Sequence, residues 1–358
     1  MRAAIAALGM MLAFSATGPA SADDNAAAAK AAVDKLSDAE LLAEFQRRSE
    51  AQAPSQAPKP ATRGLVRGGS SSLSQFDAAT LTHAVRTRTI YGPRDHRMDW
   101  YEIRDESVKS LAQASVALVR ADDAPVSGDT VALKTKPLWE AKRLCSSENF
   151  AAQPSIAFCS GTLVRPDLVL TAGHCVREIS KDQQVPPVTS VDFVFGYRME
   201  QANTAPAQIP ASAVFKGRAA IAGEKTDNQD WALVQLEKPV PAGVAAPVTN
   251  WDISPVAQGQ PVFAIGYPSG LPLKYAPGAS IRDISDPGVF VANLDTFGGN
   301  SGSGVFDVRT KKLIGVLVRG DADYKYDQKR FCNYAYVCPA NGCKGESVTR
   351  LSLVNIPK

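Results

Sequence analysis

From Ser115 onward the chain never sustains a helical period for long. Short runs rich in β-branched and aromatic residues recur instead, separated by Pro, Gly, Asn and Asp: Ser115–Arg120, Gly161–Val164, Val169–Thr171, Val191–Phe195, Trp231–Leu236, Val262–Ile265, Val289–Ala292, Val305–Val308 and Leu313–Val318. Runs of this length bounded by turn residues favour strands over helices, and many of them in one chain predict an all-β barrel or sandwich. No internal repeat accompanies them.

The residues before this region have a different texture. Arg2, an apolar stretch from Ala3 to Phe14 and the small-residue site Ala20-Ser21-Ala22 have the layout of a secretory signal peptide over 1–22. The apolar stretch is short of the roughly 20 residues that span a bilayer, and no later stretch is long and apolar enough to be a membrane helix. Export to a secreted or periplasmic location is expected, without stable membrane insertion. Residues 23–88 read as an N-terminal segment and linker. Ala26 to Val33 favours a helix, and Ser37 with Glu40 forms a capping-box pattern with Leu36 and Leu41 as its staple. Ala51 to Ser74 is rich in Pro, Gly and Ser, a flexible composition. Such a segment fits a pro-segment and a plain spacer equally well. Residues 89–358 are left for the folded domain.

Of 358 residues, 45% are apolar and 21% charged, enough for a sizeable core, and the net charge of +3 gives no reason to expect nucleic acid as a partner. The six cysteines, Cys145, Cys159, Cys175, Cys332, Cys338 and Cys343, form an even set in an exported chain, which reads as disulfides. A metal site is the weaker alternative, because the last three lack a CxxC pair and have no histidine nearby. Nothing in the sequence indicates a cofactor, and oligomeric state is open.

Three segments carry chemistry. The chain has 3 histidines, His83, His96 and His174. His174 stands in Leu170-Thr-Ala-Gly-His-Cys175, just after a β-rich run, and histidine suits proton transfer near neutral pH. A Cys159–Cys175 bond would tie its loop to the preceding strand, contributing about 3 kcal/mol in the chain-entropy model. Asp230 opens the apolar run Asp-Trp-Ala-Leu-Val-Gln-Leu236, where a buried carboxylate needs a partner such as a histidine N–H; Asp227 in the preceding turn is its rival. Around Ser301, Gly298-Gly-Asn-Ser-Gly-Ser-Gly304 lets backbone N–H groups approach a substrate carbonyl closely, as acyl transfer requires.

In the order His, Asp, Ser, these segments resemble the three catalytic blocks of chymotrypsin-like serine proteases. The Gly299-Asn-Ser-Gly-Ser form is most similar to the bacterial glutamyl-endopeptidase (V8-like) branch. The resemblance spans roughly Ser115 to Leu353. It implies two six-stranded antiparallel β-barrels with the active site between them, His174 as general base, Asp230 as its orienting acid, Ser301 as nucleophile, and the N–H groups of Gly299 and Ser301 as oxyanion hole. Protein or peptide substrates follow. The alternatives are a catalytically silent binding protein on the same fold and an esterase-type hydrolase.

Two departures matter. Asn300 stands where trypsins carry an aspartate that pairs with a newly freed N-terminus, so activation through that ion pair is not expected. Thr89 to Arg97 resembles the mature start in the bacterial branch, which predicts processing after Arg86 or Arg88. For selectivity, Asp295 lies six residues before Ser301, where trypsin-like members place the pocket aspartate; with Thr296 it predicts a preference for Arg or Lys before the scissile bond. Val318, Arg319 and Gly320 match the substrate-aligning strand. Leu317 replaces the histidine of glutamate-specific members. Cys332 to Cys343 is expected to be a disulfide-held loop near the cleft.

Overall fold

The computed structural model describes residues 91–92, 95–204, 206, 208–339 and 341–357. The expected signal peptide, capped helix, linker and processing sites, and His83, lie outside these residues.

Short alternating or wholly apolar runs bury best when a sheet curls until its edges meet, because closure removes unpaired strand edges. The chain does this twice. The first barrel is built from β2 (Ser115–Arg120), β3 (Cys159–Arg165), β4 (Leu168–Thr171), β5 (Val191–Val194), β6 (Val214–Lys225) and β7 (Asp230–Leu236), in the closed order β6-β7-β4-β3-β2-β5. Its last pairing sets Val214 against Val194 and Phe215 against Phe193. Phe193, Phe195 and Phe215 belong to one buried apolar cluster with Val169, Leu233 and Val234.

The second barrel uses β8 (Pro261–Gly266), β9 (Lys274–Asp283), β10 (Val289–Ala292), β11 (Gly304–Asp307), β12 (Leu313–Arg319) and β15 (Glu346–Arg350). Their order is β9-β8-β11-β12-β15-β10, and β10 pairs back onto β9 through Ile281 and Ala292. Val262, Phe290, Val305, Leu317 and Val348 pack inside it. Both barrels are antiparallel and six-stranded, as the resemblance implied. A hairpin of β13 (Tyr324–Asp327) and β14 (Cys332–Ala335) stands on the second barrel. The one α-helix of two turns among the described residues, α1 (Glu106–Gln113), starts on an Asp105 carboxylate that accepts from Ser107 N–H. No helix among the described residues is long and apolar enough to cross a membrane.

Ahead of the first barrel the chain runs along the second. Gly92 N–H donates to the Cys338 carbonyl at 3.0 Å, and β1 (Met98–Asp99) adds to the β9 edge, Asp99 opposite Lys274. Asp99 and Lys274 form a buried ion pair at 2.5 Å. Gln153 donates to Asp99 Oδ2 and accepts from Lys274 Nζ, which also donates to the Pro272 carbonyl. Burial pushes the Lys274 ammonium down to about 8 despite its partner. Removing one member of such a pair leaves the other charge desolvated. Asp99→Ala is therefore expected to cost about 3 kcal/mol in chemical denaturation at pH 6. The cost should shrink toward pH 9, where Lys274 sheds its proton; a small or pH-independent loss would contradict the account.

All six cysteines are paired, as Cys145–Cys332, Cys159–Cys175 and Cys338–Cys343. The Cys332–Cys343 region is thus held by two bonds, one of them reaching back 187 residues.

Candidate active site

Barrel closure decides where the three chemical segments end up. Strands β4 and β7 are neighbours, Thr171 and Ala232 being paired, so the turn after β4 and the first residue of β7 share one end of the first barrel. That turn, Gly173–Cys175, carries His174. Gly173 has to be glycine, since a Cβ there would overlap the backbone of Glu224. The Cys159–Cys175 bond fixes the turn to β3.

Asp230 is fully buried. Its Oδ1 accepts from the His174 backbone N–H at 3.0 Å, and its Oδ2 lies 2.9 Å from His174 Nδ1. Both oxygens are thus spent on one residue, which fixes ring position and tautomer together. Burial alone would push the Asp230 carboxyl up. The hydrogen bonds and charge of His174, with Lys225 Nζ at 3.8 Å, outweigh it and hold the group below the usual carboxylate range. The rival Asp227 sits in the exposed turn, its carbonyl accepting from Arg319.

Ser301 arrives from the second barrel, in the turn before β11. This turn packs directly on the His174 segment. The Ser301 carbonyl accepts from Ser160 N–H at 2.8 Å and lies 3.7 Å from Cys175 Sγ. A Cβ on Gly302, whose φ is +90°, would overlap Ser160 and Thr171. No hydrogen bond joins the Ser301 hydroxyl to the His174 ring among the described residues. Such contacts commonly close only when substrate is bound.

The backbone of the turn is sorted in a way that bears on its chemistry. Gly298 N–H donates to Asp323 Oδ2, Asn300 N–H to the Phe297 carbonyl, Gly302 N–H to the Leu317 carbonyl and Ser303 N–H to the Asn300 carbonyl. Gly299 N–H and Ser301 N–H have no acceptor among the described residues. Two donors beside a hydroxyl are thereby left for an external oxygen. Asn300 is buried, its Oδ1 accepting from the Ser303 hydroxyl, so this position is satisfied by neutral groups.

A family model for the trypsin-like peptidase domain matches residues 159–316, from Cys159 at the head of β3 to Val316 within β12. That stretch is similar to trypsin-like peptidase domains. Among solved structures, the chain is similar to the inactive form of Rv3671c protease, at 16% identity and a TM-score of 0.37, covering 69% of this chain and 88% of that one. A Glu endopeptidase in complex with MPD is similar at 16% identity and a TM-score of 0.39, covering 73% of this chain and 94% of that one. No curated protein matches the chain.

A cleft of about 310 Å³ opens beside Ser301, lined by Phe297, Gly298, Leu317, Val318, Arg319 and Gly320, and by the acidic residues Asp321, Asp323 and Glu346. Val318, Arg319 and Gly320, expected on the substrate-aligning strand, are among these lining residues. Asp295 is not. Its carboxylate is buried and faces the chain start: Oδ1 accepts from Tyr91 N–H at 2.9 Å, while Oδ2 accepts from His96 N–H at 3.1 Å and lies 2.9 Å from His96 Nδ1. A carboxylate bonded in this way anchors the segment ahead of the barrels, and Asp295 is not among the residues that line the cleft, where it was expected as the pocket aspartate. Thr296 is also off the cleft lining and donates to Glu346 Oε2 at 2.6 Å.

Sequence reasoning missed several supporting groups. The Ser160 hydroxyl donates to the Gly299 carbonyl at 2.7 Å and accepts from Tyr267 N–H, and so orients the peptide ahead of Asn300. Its place in the Cys159-Ser-Gly-Thr block was the available signal. Thr349 of β15 donates to the Asp230 carbonyl at 3.0 Å and accepts from its N–H at 3.3 Å, joining the carboxylate's backbone to the other barrel. Nothing local in the sequence points to Thr349.

Proposed function

We propose that this chain is a serine endopeptidase that cleaves peptide bonds through an acyl-enzyme on Ser301. His174, its Nδ1 side held by Asp230, takes the Ser301 hydroxyl proton as the oxygen attacks the scissile carbonyl, and then delivers it to the leaving amine. Asp230, already favoured as an anion, stabilises the imidazolium formed between those steps. The developing oxyanion is received by Gly299 N–H and Ser301 N–H. The observation that carries the reading is that neither has an acceptor among the described residues, in a turn where every neighbouring N–H has one. Export is part of the proposal, supported by three disulfides with no free cysteine among the described residues.

A fluorophosphonate probe followed by peptide mapping tests the assignment. Modification of Ser301 in folded protein is the expected result. A folded protein that leaves Ser301 unlabelled would instead be a binding protein on a peptidase fold. Digestion of a peptide library beside an ester panel separates the endopeptidase from an esterase.

A further inference from the structure

The cleft beside Ser301 contains a carboxyl group that the hydrolytic steps do not use. Glu346, the first residue of β15, is more than nine-tenths buried and lines the cleft together with Ser301. It sits under the end of β12, where Arg319 pairs with Ser347. A Cβ on Gly320 would collide with the Glu346 carboxyl, so only bare backbone at 320 leaves that group its space.

The donors reaching Glu346 are all uncharged. Thr296 Oγ1 donates to Oε2 at 2.6 Å, while Asp321 N–H at 3.3 Å and the Tyr91 hydroxyl at 3.4 Å reach Oε1. None of the described ion pairs includes it. Burial, with the charge of Asp323 adding to it, pushes the Glu346 carboxyl up to about 8. A buried acid without a cation is driven toward its neutral form. The other charged groups of the lining do not relieve it. Asp321 is held ionised by Lys344 N–H, Asp323 repels a second anion, and Arg319, the one basic residue lining the cleft, donates to the Asp227 carbonyl.

We propose that Glu346 is the specificity-determining residue of the cleft, selecting a substrate whose lysine or arginine side chain enters beside Ser301. This rests on the serine-peptidase reading and gives that site its substrate class. A cationic side chain supplies the missing counter-charge, and Glu346 releases its proton to solvent as the ion pair forms. A neutral side chain leaves the carboxyl buried without compensation, and an acidic one meets three carboxyl groups. The selectivity that the sequence attached to Asp295 thus has a different residue as its source.

The test uses the processed enzyme and fluorogenic peptides that differ only in Lys, Arg, Gln, Phe or Glu before the scissile bond. Fluorophosphonate titration of Ser301 gives the concentration of active sites in each preparation. The wild type is expected to favour Lys and Arg over Gln by about 100-fold in kcat/KM, and Glu346→Gln to remove most of that ratio. A wild type without the preference, or a variant that keeps it, overturns the proposal.

Calorimetry with benzamidine, and with neutral benzamide as control, reads the cation site without turnover and needs no variant. Wild type that binds both equally weakly also counts against it. If benzamidine binds while Ser301 stays unlabelled, the peptidase reading falls and the cation site remains. If Ser301 labels but no cation is preferred, the reverse holds.

Discussion

Ser301→Ala is expected to fold with an unchanged melting temperature and to lose turnover by about 10⁶-fold. The position is partly exposed, and its backbone, not its hydroxyl, ties the turn to Ser160, so truncation removes chemistry without removing packing. What remains should be the modest acceleration supplied by substrate binding and the two free N–H groups. Active-site titration alongside circular dichroism and a peptide assay checks both halves. Undiminished cleavage by the alanine protein would remove the nucleophile assignment. A cooperative loss of structure would show that the hydroxyl is needed for folding instead.

The second large effect is at Asp230. Asp230→Asn keeps the size of the side chain but puts a donor where an acceptor was. One amide atom can still accept from the His174 backbone, so the amide nitrogen then faces Nδ1 and favours the tautomer with its proton on the wrong side. A loss of about 10⁴-fold in kcat is expected, with KM little changed. Combining it with Ser301→Ala should cost no more than Ser301→Ala alone, because the proposed mechanism uses the three side chains as one device. Additive losses would mean that Asp230 acts elsewhere, for example through Thr349. A raised KM with unaltered kcat would point to substrate binding.

How much of this was legible from the chain depends on what each residue answers to. The expected runs from Ser115–Arg120 to Leu313–Val318 all became strands because each is apolar over a length that only a buried strand satisfies. Three barrel strands escaped. Val214–Lys225 mixes Lys, Arg, Gly and Ala, and its register slips twice against β7. Lys274–Asp283 carries Pro277 and Gly278, which read as a turn, and Glu346–Arg350 opens on an acid. The site divides in the same way. His174, Asp230 and Ser301 stand in local patterns that their own chemistry demands. Asp295 was placed in a pocket by distance along the chain, whereas its carboxylate is bonded to Tyr91 and His96. Its direction is set by Tyr91 and His96, some 200 positions away, and no local pattern encodes that. Glu346 and Thr349 belong to a strand whose meaning appears only when the second barrel closes.

The Asp295 anchorage also limits how the protein can be trimmed. The carboxylate that holds Tyr91 and His96 lies six positions before the nucleophile, and the Tyr91 hydroxyl reaches Glu346 on the cleft wall. A cut upstream of Tyr91 leaves every one of these bonds in place. A cut just after Tyr91 would release the Tyr91 bonds to Asp295 and Glu346 and leave those of His96, whereas a cut after His96 would release both sets, so only a chain that begins at or before Tyr91 keeps the whole anchorage.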